Sequence, residues 1–297
     1  MVGTGQKWLI GCGIGCGFVI LIALLIIGTG VFFVRSTVQN IRDVEKLQEQ
    51  VELRFGHVGD FRPAPDGSVP AESMEKFLAV RDAMREAVGA LDGAFDGLKS
   101  HADRMEKGSK SFGDVLGLMR RGMDFVPAIM RFFSVRNQAL LDRDLSPGEY
   151  IYIYVLVYYS WLNKNPGDGP DLFQQGDSYS FSFPAEGRHD QTEADRTEHM
   201  KKERTLTMKR QAGRTLLPML RNQYAEIEKN PSAYDPAWTR RLKGEIDALE
   251  GDFDRLPYED GLPSAISGSF EPYRARLEAA YNMTTNAFEL GSFKEFR

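Results

Sequence analysis

The chain has 297 residues, with 37 Lys and Arg against 42 Asp and Glu for a formal net charge of −5, and only 2 cysteines. A mildly acidic balance with interleaved signs lacks the basic face that a polyphosphate requires, which excludes nucleic acid as a main partner. Two cysteines cannot frame a disulfide scaffold, and with no histidine near them in sequence they cannot complete a tetrahedral zinc site.

From Trp8 to Val34 no residue is charged, and Lys7 and Arg35 bracket the run. At about 1.5 Å per helical residue it reaches roughly 40 Å, more than the roughly 30 Å of hydrocarbon in a bilayer. Residues 1–35 are therefore expected to form a short tail and a single membrane helix. The run ends in Val31-Phe32-Phe33-Val34-Arg35, which offers no small-residue cleavage site for a signal peptidase. Leu9-Ile10-Gly11-Cys12 matches the pattern of a lipid-attachment cysteine, but the apolar stretch follows that cysteine instead of preceding it.

Arg35, Arg42, Lys46 and Arg54 on the C-terminal side of the run point to a cytoplasmic domain by the charge rule. A seven-residue tail ahead of a long domain favours export, and an extracytoplasmic domain is the orientation adopted. Gly11, Gly13, Gly15 and Gly17 form overlapping small-xxx-small pairs that would let a second helix approach closely. Cys12 and Cys16 share a face of the same helix. A homodimer through this helix and the segment after it is the one partner for which the sequence offers a mechanism, besides the lipid bilayer.

Val38, Ile41, Val44, Leu47 and Val51 recur at three- and four-residue steps, so residues 36–56 read as a helical stalk. Residues 57–70 hold three prolines and, with Gly56, three glycines, and read as an extended linker or a loop packed by Phe61. Residues 71–297 read as an α-helical bundle. Its first helix carries Met74, Phe77, Met84, Val88, Leu91, Phe95, Leu98 and Met105 on one stripe. Arg81 takes the one slot in that stripe that is not apolar, where its stem is expected to snorkel to water. The next helix runs from Phe112 to about Asp144, with Pro127 as a kink or break.

Tyr150 to Leu162 has the β-branched and aromatic content of a strand. Ser146-Pro147-Gly148-Glu149 just before it is a helix start, with serine at the cap, proline in the first turn and glutamate three residues on. A lone strand would also lack a partner, so the segment reads as a central buried helix whose hydroxyls seek partners.

Residues 163–187 form the irregular loop of the domain. Asn163, Asn165, Asp168 and Asp171 suggest calcium, but their spacing does not fit an EF-hand and no glutamate closes the set. Leu172-Phe173 and Tyr179 to Phe183 alternate polar and aromatic residues and suit a short hairpin or flap. His189 to His199 clusters histidines with Asp190, Glu193, Asp195 and Glu198, yet nothing apolar surrounds them, so a solvated helix start is expected.

That helix is expected to continue past Leu206, Leu216, Leu220, Tyr224 and Ile227, with Pro218 as a kink. Another begins at Asp235-Pro236 with Trp238, Leu242, Ile246, Leu249 and Phe253 on one stripe. A last helix, opening between Ser264 and Ser269, carries Phe270, Tyr273, Leu277, Tyr281, Thr284 and Phe288 and stops at Gly291. The Asn282-Met283-Thr284 glycosylation pattern then falls mid-helix and reads as a chance match.

No nucleophile elbow, zinc-protease helix, P-loop or dinucleotide fingerprint occurs, so no catalytic, cofactor-binding or metal-binding residue is assigned and no cofactor is expected. The sequence supports an all-α protein: a transmembrane helix continuing into a stalk, then a multi-helix bundle. A membrane-tethered interaction or scaffold module is the favoured role. A carrier or sensor for an apolar ligand held between helices is the alternative, and an enzyme without a recognised motif is the third class.

Overall fold

A computed structural model describes residues 42–106, 112–169, 172–175, 178–181 and 193–291. The compact unit begins at Val44 and extends to the C-terminus. The expected membrane span, with its glycines and cysteines, lies outside the described residues. Among those described, no helix is long and apolar enough to cross a membrane.

The compact unit is a helical bundle. Its first helix, α1, covers residues 42–55. Instead of standing clear as a stalk, α1 buries Val44 and Val51 within the unit. Its Arg54 donates to the carbonyl of Leu141 (3.2 Å) and pairs with Asp144 (2.8 Å). The apolar stripe, which needs something packed on it, is thus covered at Val44 and Val51 by the chain's own fold.

Residues 57–70 are held down along their length. Phe61 stacks on Tyr152 (ring centres 5.6 Å apart). The amides of Asn222 and Gln223 donate to the carbonyls of Gly59 (3.1 Å) and Ala64 (2.6 Å), and the Trp238 indole donates to Pro65 (2.6 Å). Two glycines permit this close approach. A Cβ at Gly148 would lie 2.4 Å from the Val58 carbonyl oxygen, and one at Gly67, whose φ is +79°, would lie 2.7 Å from the Trp238 ring.

Helices α2 (Ala71–Glu106) and α3 (Phe112–Arg143) pack along one another as the longest contact of the bundle. Pro127 sits inside α3. The buried face of α2 carries Met74, Phe77, Met84 and Leu91 as the periodicity requires.

Helix α4 (Pro147–Tyr154) starts at the expected cap, where the Ser146 hydroxyl accepts from the Glu149 amide (3.0 Å). It continues as a π-helical turn over Val155–Trp161, and every residue from Tyr150 to Tyr159 is buried. Strands β1 (Leu172–Gln175) and β2 (Ser178–Phe181) form an antiparallel hairpin in the loop region.

Helix α5 (Glu193–Lys229) contains Pro218 without ending there. Helix α6 (Pro236–Gly251) is capped by Asp235, whose carboxylate accepts from the Ala237 amide (2.8 Å), and it buries Trp238, Leu242, Ile246 and Leu249. Phe253 falls beyond its end and is exposed.

The single last helix expected from the sequence is three helices: α7 (Ser264–Phe270), α8 (Arg274–Ala280) and α9 (Met283–Glu289). Pro272 lies in a 3-10 turn between the first two. At the second break Tyr281 and Asn282 are extended, and the Asn282 side chain accepts from the Thr285 amide (2.8 Å). Asn282 is therefore the cap of α9 and not a mid-helix residue, because a short amide side chain at this position satisfies an otherwise orphaned N–H.

Candidate functional site

The polar centre of the molecule is built around α9, a seven-residue helix whose Thr285, Asn286 and Glu289 are all fully buried. A carboxylate in such a place requires a cation and further donors. Arg81 of α2 supplies the cation. Its guanidinium pairs with Glu289, donates to the Tyr150 hydroxyl (3.0 Å) and to the Ala280 carbonyl (2.6 Å), and lies over the rings of Tyr154 and Tyr158 (5.5 and 5.9 Å). The expectation that Arg81 snorkels to water is corrected here: a guanidinium this far inside is retained because Glu289 neutralises it. Burial pulls the Arg81 pKa down, but the facing carboxylate and tyrosines outweigh that and hold it well above the usual arginine value.

The π turn explains how α4 serves this centre. In an α-helix, residues five apart point about 140° away from each other. The wider turn brings Tyr154 and Tyr159 to the same acceptor, and their hydroxyls donate to Asn286 Oδ1 at 2.9 and 3.0 Å. Tyr150 donates to Glu289 Oε2 (2.7 Å) and Tyr158 to the Leu277 carbonyl (3.1 Å).

The Asn286 amide group in turn donates to the carbonyls of Pro166 (2.8 Å) and Asp168 (3.0 Å), fixing the start of the irregular loop. Burial raises the pKa of each of these phenols, Tyr158 to about 12 and the others further. They are neutral hydrogen-bond donors and not poised acids. Tyr152 differs. Its hydroxyl is buried beside Gln223 without a well-formed hydrogen bond, and the Gln223 amide nitrogen donates to Ala64.

Arg136 of α3 closes the other end of α9. It donates to the carbonyls of Phe288 (3.2 Å), Glu289 (3.1 Å) and Gly291 (2.9 Å), which sit at the negative end of the helix, and lies over the Phe133 ring (4.8 Å).

Beside this packed centre lies a cleft of about 680 Å³. It is lined by helix α1 and the turn after it, the end of α3, the start of α4 with Tyr150, the middle of α5, and Leu290 and Gly291. Tyr150 and Arg136 line it as well as belonging to the polar centre, so the two features share side chains.

The residues weighed for metal chemistry are placed elsewhere. Asn165 Oδ1 accepts from the Gly167 amide (2.8 Å) and from the Thr205 hydroxyl (3.1 Å), and Asp168 accepts from Tyr281 (3.2 Å), so protein donors occupy these candidate calcium ligands. Asp171 and His189 to Thr192 lie outside the described residues, and Glu198 and His199 are exposed on the first turns of α5. Among the described residues no group of three or more His, Cys, Asp or Glu is arranged to hold a metal ion.

No family model matches the chain, and neither a curated protein nor a solved structure is significantly similar to it.

Proposed function

We propose that the protein is a membrane-tethered helical interaction module whose binding face is the cleft between α1, α3 and α5. The observation that carries this reading is the contrast between the two features just described. The aromatic interior is filled by its own rings, and the acceptors of Asn286 and Glu289 at its centre are occupied, whereas the cleft beside it is about 680 Å³ of space lined by side chains from several parts of the chain. The tether is the uncharged run from Trp8 to Val34. Twelve residues lie between Arg35 and Gln48, a span of at most about 45 Å even fully extended.

The carrier alternative fits less well, because a ligand among the Tyr150 to Trp161 rings would have to displace side chains that already fill the interior. Membranes washed with alkaline carbonate, then gently solubilised and subjected to affinity purification, test the reading. The full chain should stay in the membrane pellet and retain a partner that a Thr215→Arg variant, which fills the cleft, loses. A chain released by the wash, or a partner retained equally by the variant, overturns it.

A further inference from the structure

Polar side chains in a protein interior find partners, and those that do not are costly to keep. The cleft contains one buried polar atom of this kind, on Gln48, and beside it the carboxamide of Asn137, which has no protein partner among the described residues. Gln48 on α1 is 8% exposed, donates its Nε2 to Glu52 (3.2 Å) and leaves Oε1 buried with no partner. Asn137 on α3 is 5% exposed and makes no side-chain hydrogen bond among the described residues. Gln211, from α5, adds a third carboxamide to the same lining. A carboxamide offers donor and acceptor together in one plane, which is the complement of a peptide group whatever side chain it bears. An acyl chain in the same space would leave the Asn137 carboxamide desolvated and unpaired, so the lining favours a ligand that is itself rich in amides.

Charge narrows the class. The lining includes the cations Arg136, Arg210 and Arg214 against one carboxylate, Glu52. Arg136 is committed to the end of α9, and Arg210 to Asp254 (3.1 Å). Arg214 is exposed at the rim, lies over the Phe253 ring (6.0 Å) and has no carboxylate partner among the described residues. We propose that the cleft binds a short acidic peptide segment of a partner protein, whose main chain pairs with the carboxamides of Asn137 and Gln211 and whose carboxylate meets Arg214. This rests on the reading of the cleft as the binding face and names what it takes.

The test uses the full chain in lipid nanodiscs, applied to an array of immobilised random octapeptides. Bound sequences should be enriched in Asp and Glu. Asn137→Leu, which keeps the packing and removes an unpaired amide, should melt at the same temperature as the wild type or higher while binding about tenfold more weakly. Arg214→Glu should shift the enrichment from acidic to basic sequences. Binders without acidic enrichment, or binding indifferent to both variants, overturn the proposal. Binding of short-chain phosphatidylglycerol that is sensitive to Asn137→Leu, without peptide binding, would refute the peptide while leaving the cleft as the binding face. Absence of any Asn137-dependent binding would remove both.

Discussion

The tyrosines of the interior make the domain sensitive to alkali in a calculable way. Tyr150, Tyr152, Tyr154, Tyr158, Tyr159 and Tyr258 are buried, and burial raises the pKa of each in the folded domain. In the unfolded chain a phenol ionises at about pH 10. Above that point the unfolded state has lost protons that the folded state still holds, so stability falls as pH rises, by about 1.4 kcal/mol per pH unit for each tyrosine. The stabilising contribution is complete below about pH 10 and is lost upward from there.

Six such groups remove about 8 kcal/mol by about pH 11, comparable with the whole stability of an ordinary domain at ~5–15 kcal/mol. Parallel titrations of tyrosinate absorbance and far-ultraviolet ellipticity in detergent micelles would read this. Of the 11 tyrosines, these six should ionise only as ellipticity collapses, in one steep step. Six phenols titrating smoothly while the helices persist would refute their placement.

Three further outcomes follow from the same contacts. Glu289→Gln should destabilise by about 3–5 kcal/mol in urea unfolding by leaving Arg81 buried and unpaired, whereas Arg81→Met combined with Glu289→Leu should recover most of that loss. Ser146→Ala should cost about 1 kcal/mol through the lost cap, while Tyr152→Phe, which removes a hydroxyl without a well-formed hydrogen bond, should change stability by less than about 0.5 kcal/mol or improve it. If the glycines of the membrane run mediate pairing, oxidation of Cys12 and Cys16 in native membranes should give a disulfide-linked dimer that a Gly13→Ile, Gly17→Ile variant lacks; an unchanged monomer band in both would remove the dimer.

What was legible in the sequence was local. The first part of the α2 stripe, Met74 to Leu91, the Ser146 cap and the Asp235 cap depend on residues within a few positions of one another; Met74, Phe77, Met84, Leu91 and both caps lie where the spacing put them, while Val88 and Phe95 are half-exposed. The cap also outweighed strand propensity in the aromatic segment, because burial and not backbone preference selects its β-branched residues. The polar centre was not legible, since Arg81 meets Glu289 across 208 residues and periodicity carries no information at that range.

Two signals were nevertheless present. Tyr154 and Tyr159 stand five apart, a spacing that shares a face only on a π turn. Asn282 precedes a run in which Thr285, Asn286 and Glu289 interrupt the expected apolar face, which marks a new capped helix and not the middle of an old one. The docking of α1 was hidden for a different reason, because an amphipathic stripe shows that something covers it and not what does.

The central claim is that a partner sits in the cleft while the protein is held at the membrane. A benzophenone amino acid placed at Gln211, inside the cleft, and separately at Glu228, exposed near the end of α5, tests it by photocrosslinking in intact membranes. A partner seated in the cleft gives a discrete protein adduct from position 211 that is absent from position 228 and is lost in the Asn137→Leu background. Equal adducts from both positions, or an adduct from 228 alone, would contradict it.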